Sequence, residues 1–189
     1  MIITIARQCG CNAIKVGEQL SERYNLPLYT RKTLMEQAEA MGTLQSMKDF
    51  FDEDPVDDLM NAITSFTEEL TEIRGRFLRS FNNIIRDKDC IIIGRCGNHI
   101  FHDRKDLVSV FLHGNENIRT KNIAQEKKIT LEDAHDYVTE IDDRRESYHK
   151  FYTGLTWGNS ADYDISLDCC RLGIIQTAKI IEEYITNTL

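Results

Sequence analysis

The sequence is poor in residues that break or loosen a chain. Only two prolines occur in 189 residues, Pro27 and Pro55, and no Ser/Gly-rich stretch is present. Neither a proline-rich spacer nor a flexible linker is expected. No apolar run approaches the roughly 20 residues that a bilayer-spanning helix needs, so no membrane partner is expected. Basic residues are outnumbered, 23 to 31, leaving a net charge of −8. That balance argues against a nucleic-acid polymer as partner. The N-terminal "MIITIARQ" has no basic segment ahead of its short apolar run and no apparent cleavage site, so the expected compartment is the cytoplasm. Also missing is the full G-x-x-x-x-G-K-[ST] signature of a common phosphate-binding loop.

Six cysteines are present, at positions 9, 11, 90, 96, 169 and 170. Without an export signal, reduced thiols are the default. Cys9-x-Cys11 with the vicinal Cys169–Cys170 could suggest zinc, but this spacing matches none of the usual zinc frameworks. The cysteines therefore read as structural thiols, and no residue is assigned as a metal ligand.

Hydrophobic patterning gives the class. "IITIA", 2–6, "CIIIG", 90–94, and "LVSVFLH", 107–113, are apolar almost throughout, as strands covered on both faces tend to be. "NLPLYT", 25–30, and "YDISLD", 163–168, add two shorter strands. Helices are expected over 13–24, 31–42, 115–128, about 130–150 and 172–186. A long amphipathic helix is expected to open at Asp54–Pro55. Its apolar positions run from Val56 to Ile85 at steps of three and four, with a break expected near Gly75. A role in a homodimer is conceivable for this helix, but a core role is the simpler reading. Five strands alternating with helices indicate a single α/β domain over 1–189 with a parallel sheet. Ligands of such sheets bind beyond the carboxyl ends of the strands. Cys9, Cys11 and the Cys169–Cys170 pair fall near that edge.

Three stretches could carry chemistry there. In "ARQCGCNAIKVGEQL", 6–20, a strand hands over to a helix, the setting in which backbone N–H groups converge on a phosphate. In "GRCGN", 94–98, Arg95 closes a strand and could hold an anion. From 119 to 157, Arg119, Lys121, Arg144, Arg145 and Lys150 accompany Tyr148, His149, Phe151, Tyr152 and the only tryptophan, Trp157. Arginines can clamp a transferring phosphoryl group, and aromatics can stack on a base. The plainer readings are a βα turn, a surface arginine, and a solvated helix ending in a structural tryptophan turn.

Taken together, "IITIARQCGCNAIKVGEQLSERYNLPLYTRKTL", "CIIIGRCGNHIF" and "VFLHGNENIRTKNIAQEKKITLEDAHDYVTEIDDRRESYHKFYTGLTWGNSADYDISLD" resemble the cytidylate kinase-like family of P-loop nucleoside monophosphate kinases. The most specific part is "YTG" followed by "WG" and "YD". The resemblance implies a three-layer α/β/α fold with a five-stranded parallel sheet. It also implies a monophosphate-binding region near 30–85 and a helical lid near 115–160. The implied activity is transfer of the ATP γ-phosphoryl group to a nucleoside monophosphate, CMP or dCMP by the family label, with Mg²⁺. Arg95, Arg119 and Arg145 match the family's arginines and are the catalytic candidates. Tyr148 and Tyr152 fall in the family's "R-x-x-Y" and "YTG", and Trp157 in its "WG". These three, with Arg31, are the substrate-binding candidates. Gly10, Cys11, Asn12, Ala13, Ile14 and Lys15 form the phosphate-loop candidate.

Family members usually show "GSGG" in this loop, where this chain has "GCNA", 10–13. Asn tolerates left-handed backbone better than most residues, and Cys11 and Ala13 are small, so the loop can still wrap a phosphate. No hydroxyl stands at Ile14 to hold Mg²⁺, and Lys15 lies further into the helix than a phosphate-binding lysine would. The alternative to an active kinase is a catalytically weak relative that binds a nucleotide or other phosphorylated ligand as a sensor or partner protein.

Overall fold

A computed structural model of the chain describes residues 1–47, 50–51, 68–85 and 88–189, with the backbone alone at 68–74. Strands β1 (Ile2–Arg7), β2 (Leu28–Tyr29), β3 (Cys90–Ile93), β4 (Leu107–His113) and β5 (Ile165–Asp168) form one parallel sheet in the order β2-β3-β1-β4-β5. β1 is central. Ile2 to Ile5 pair with Cys90 to Ile93 on one side, and Ile2 to Arg7 pair with Leu107 to Leu112 on the other. The loop after β1 therefore leaves from the middle of the carboxyl edge.

Among the described residues seven α-helices cover the sheet: α1 (Ala13–Tyr24), α2 (Arg31–Ala40), α3 (Glu68–Ile85), α4 (Gly97–Ile100), α5 (Glu116–Lys127), α6 (Leu131–Thr153) and α7 (Cys169–Thr188). The alternation of strand side chains explains the layering. Ile3, Ile5, Ile91 and Ile93 turn to one face and pack with Val16 and Leu20 of α1 and Ile181 and Ile185 of α7. Ile2 and Ile92 turn to the other, where Leu34, Phe50, Phe81, Ile84, Phe101 and Tyr148 close the second core. A small third cluster joins Cys9 of the β1–α1 loop to Ile123, Ala134 and Val138 of α5 and α6. No described helix is long and apolar enough to cross a membrane.

The sequence reading matches these elements closely, with four differences. The helix expected to break near Gly75 continues through it to Ile85. A mid-helix glycine costs only about 1 kcal/mol relative to alanine, and Phe81 and Ile84 are fully buried on the next turns. The four-residue α4 was too short to carry a period. α7 opens at Cys169, three residues early, because Asp168 Oδ1 accepts the Arg171 N–H and caps it; the helix is then interrupted at Gly173, where φ is 75°. β5 begins at Ile165, after a 3₁₀ turn over Ser160–Asp162. The expected helix start at Asp54–Pro55, and its apolar positions as far as Phe66, lie outside the described residues.

Candidate functional site

The site forms where the β1–α1 loop meets the α5–α6 pair. Gly10 has φ 81° and Asn12 has φ 53° and ψ 29°, so the loop turns through two left-handed residues. The asparagine takes the conformation that would otherwise call for a second glycine. Gly10 is also required sterically, since a Cβ there would stand 2.5 Å from the Arg119 carbonyl oxygen.

A buried ion pair holds the loop to the two helices. Arg119 is 6% exposed, and its Nη1 lies 2.6 Å from Asp142 Oδ2. The same guanidinium donates to the carbonyls of Cys9 at 3.1 Å and Gly114 at 3.0 Å. Asp142 Oδ1 accepts the Cys9 N–H at 2.6 Å, and the Asn122 amide donates to the Gly10 carbonyl at 2.9 Å. Burial pushes the Asp142 carboxyl up, while the Cys9 N–H and the guanidiniums of Arg119 and Arg145 pull it down. Among the described residues, the N–H groups of Gly10, Cys11 and Asn12 donate to no protein acceptor. With the open N-terminus of α1, these are the groups that suit an anion.

Two cavities lie on either side of the loop. One of about 450 Å³ is lined by residues 7–15 and by Ile123, Lys127, Tyr137 and Arg145. The other, about 530 Å³, is lined by Arg7, Ile14, Ile93, Leu44 and the start of α2 with Thr30, Arg31 and Lys32. Arg7 and Ile14 belong to both walls. A narrow cleft of about 20 Å³ shares Arg7 with both cavities and Arg145 with the first, and is lined also by Arg95, Tyr148, His149 and Trp157. Three arginines from three different elements face one another there. Arg145 Nη1 donates to the Arg7 carbonyl at 3.3 Å, and Arg7 packs over Gly94, where a Cβ would collide with its guanidinium.

Arg95 sits in a constrained turn. Gly94, Arg95 and Cys96 have φ of 77°, 60° and 54° in succession. For the two non-glycine residues that conformation costs roughly 1–2 kcal/mol each, the kind of strain that gathers at functional sites. The side chain is buried, donates to the Phe50 carbonyl at 3.2 Å and lies 5.6 Å over the Tyr148 ring. The Tyr148 hydroxyl donates to the same carbonyl at 3.0 Å, and Arg31 Nε donates to the Phe51 carbonyl at 2.6 Å. Two adjacent backbone carbonyls thus collect three of the candidate site residues.

The structure sorts the other candidates by position. Arg119 is engaged in holding the loop; Arg145 pairs with the same carboxylate, Nη1 lying 3.8 Å from Asp142 Oδ1, and also lines the cleft. Tyr148 and Trp157 flank that cleft, and Tyr152 stands behind it in the core, 4.6 Å from Tyr148 and 5.1 Å from Phe50 between ring centres. Arg144 pairs with Glu140, and Lys150 donates to the carbonyl of Gly154 at the end of its own helix. Ile14 is 48% exposed at the start of α1. Arg7 and Asp142 were missed by sequence reasoning. Arg7 closes β1 at the sheet's carboxyl edge, and Asp142 stands one turn before Arg145, which is the available signal for each.

A family model described as the cytidylate kinase-like family matches residues 2–170. No curated protein matches the chain. Among solved structures, an uncharacterized protein from Eubacterium ventriosum ATCC 27560 is 26% identical, with a TM-score of 0.78 over 99% of this chain and 98% of that one. A shikimate kinase from Bacteroides thetaiotaomicron (10% identical, TM-score 0.59, 98% of each chain) and a gluconokinase from Sinorhizobium meliloti 1021 (11%, 0.53, 98% of this chain and 93% of that one) share the fold.

Breaking the loop clamp should be costly. Asp142→Ala is expected to lose about 3–5 kcal/mol of stability, because it leaves the buried Arg119 charge unpaired; Arg119→Ala should lose less, because Asp142 keeps Arg145 Nη1 at 3.8 Å. The double variant should lose less than the sum of the two, as read from chemical denaturation. Strict additivity would mean that the pair does not act as a unit.

His149 gives the site an acid sensitivity. It is buried, its Nε2 has no hydrogen-bond partner among the described residues, and burial holds its pKa down at about 4 against the usual 6.5, with His99 adding to the effect. Between those values the unfolded chain takes up a proton that the folded chain refuses. Stability is therefore full above about pH 6.5 and falls as pH drops toward 4. His149→Phe should flatten the decline of the thermal midpoint in that window. His99, also held down by burial and by His102, keeps part of the slope. An unchanged slope would exclude His149 as the responsible group.

Proposed function

This chain belongs to the cytidylate kinase-like family, and we propose that it is a nucleoside monophosphate kinase that transfers the ATP γ-phosphoryl group to a nucleoside monophosphate, with CMP or dCMP as acceptor. One observation carries the reading: Arg7, Arg95 and Arg145 line one narrow cleft, and Arg7 also lines both cavities of ligand size. Phosphoryl transfer needs little covalent chemistry from the protein. It needs the donor and acceptor oxygens in line and the charge on the moving group neutralised.

The 450 Å³ cavity takes the nucleoside triphosphate, its phosphates on the N–H groups of residues 10–13 and the N-terminus of α1. The 530 Å³ cavity takes the monophosphate, with Arg31 at its wall. Arg7 is common to both, and Arg95 and Arg145 complete the ring of positive charge in which the phosphoryl group moves. Tyr148 fixes the Arg95 face, and Trp157 closes the cleft from the 3₁₀ side. Arg119 acts one step back by keeping the loop in shape, and the α5–α6 pair serves as the lid that keeps water out.

Among the described residues, magnesium has no fitting protein site at the loop. Ile14 occupies the place of the usual hydroxyl, and the carboxylates in the cavity wall are those of Glu18 and Glu126. The cation is therefore assigned to the nucleotide's own phosphates and water, as Mg²⁺ commonly is, and no step is routed through it. Ile14 also favours the second reading, a relative that binds a phosphorylated ligand with little turnover. The hold of Arg31, Arg95 and Tyr148 on the Phe50 and Phe51 carbonyls points the same way.

The test is a coupled assay of ADP release with ATP and Mg²⁺ across the nucleoside monophosphates. Turnover with a cytidine acceptor is expected. Arg145→Ala should lower it by more than tenfold while the thermal midpoint stays within a few degrees. Nucleotide binding without turnover on any monophosphate would leave the second reading in place.

A further inference from the structure

Three sulfur atoms that the phosphoryl-transfer reading does not use meet next to the loop. The Sγ atoms of Cys11, Cys169 and Cys170 all lie within 4.8 Å of one another. Cys11 comes from the β1–α1 loop, and the other two open α7 after β5. Cys11 and Cys169 are buried, Cys170 is half-buried, and all three are free thiols. The Cys169 thiol lies 3.3 Å from the carbonyls of both Cys11 and His113.

Two further features set this cluster apart from three buried thiols that merely pack. First, the sulfurs border a cavity of about 190 Å³ that Asn12, Ile118, Asn122 and Ile174 also line. It is large enough for a water molecule, which takes about 30 Å³. Second, the backbone makes way for Cys170. A Cβ on Gly114 would stand 2.7 Å from the Cys170 Cβ and would overlap its sulfur, so only glycine lets that side chain lie where it does.

We propose that Cys11, Cys169 and Cys170 bind one thiophilic d¹⁰ cation, Zn²⁺ being the type. Zn–S bonds of about 2.3 Å in a tetrahedron put the sulfurs about 3.8 Å apart. The observed spread of up to 4.8 Å reaches that by small rotations about the Cα–Cβ bonds. Soft thiolates select Zn²⁺ or Cu⁺ over hard cations. Each thiol releases its proton to solvent on binding. Three thiolates and Zn²⁺ leave one negative charge on the unit, and a water from the cavity fills the fourth position. Cys170, the half-buried member, marks the way in. The ion would tie the phosphate loop after β1 to the head of α7 after β5, and so hold the backbone around Gly10 and Asn12. The site rests on the sulfur geometry alone and stands whether or not the chain is a kinase.

The test uses the full chain, fully reduced and free of oxygen. Zn²⁺ is titrated against a chromophoric chelator, and Cd²⁺ serves as a second probe because thiolate-to-cadmium charge transfer is visible in the near ultraviolet. One equivalent bound with a submicromolar Kd, a thiolate–cadmium band and a thermal midpoint that rises with Zn²⁺ are expected. Cys170→Ser should weaken binding at least tenfold, and Gly114→Ala, which keeps every thiol, should weaken it by displacing Cys170. Cys90→Ser should change nothing. Absence of the band in wild-type protein, or a Kd unmoved by both Cys170→Ser and Gly114→Ala, would overturn the site.

Discussion

The Arg119–Asp142 pair is the contact on which the rest of the site depends. One guanidinium reaches the carbonyls of Cys9 and Gly114 and the Asp142 carboxylate, and that carboxylate reaches back to the Cys9 N–H. Three elements with nothing in common in sequence are thereby fixed: the turn after β1, the start of α5 and the middle of α6. Arg145 is carried on the same helix as Asp142, three residues on, and points to the cleft only because α6 is docked in this way. A charge taken out of water needs such saturation, since each unmet group would cost more than its ion pair returns.

A loop with one glycine can hold its shape because of what surrounds it. Asn12 supplies the left-handed backbone, Gly10 supplies the close approach to α5, and the small side chains of Cys11 and Ala13 turn into the core beneath the sheet edge. Among the described residues, the N–H groups of Gly10, Cys11 and Asn12 have no protein acceptor. What differs from the family's usual loop is the side chain at the place of the hydroxyl, where this chain has Ile14. The trio of thiols touches the same turn, with the Cys169 thiol donating to the Cys11 carbonyl at 3.3 Å.

Much of the fold was legible because buried parallel strands are apolar on both faces. "CIIIG" and "LVSVFLH" have few other uses, and both became strands within a residue of expectation. What stayed hidden was whatever depends on distance across the fold. Arg7 looks like the last residue of a strand until the sheet order places it between two cavities. Arg119 reads as a phosphate clamp until Asp142 is found beside it. The aromatic run of α6 suggests base stacking, yet Tyr148, Phe151 and Tyr152 pack against Phe50 and its neighbours, because a helix lying on a sheet must bury one face. Cys11 and Cys169–Cys170 have no metal spacing in sequence, since their convergence is a property of where β1 and β5 end. The family was readable from local motifs, "YTG…WG" above all, whose glycine serves packing: a Cβ on Gly158 would come within 2.8 Å of the Phe111 ring.

The central claim is that the turn "GCNA" is a working nucleotide loop. Isothermal titration of the purified protein with ATP, with and without Mg²⁺, tests it most directly. Micromolar binding that Mg²⁺ strengthens, and that weakens at least tenfold in Gly10→Ala protein that remains folded, is the expected result. No heat at millimolar ATP from well-folded wild-type protein would contradict the claim, and the three arginines of the cleft would then belong to a different anion.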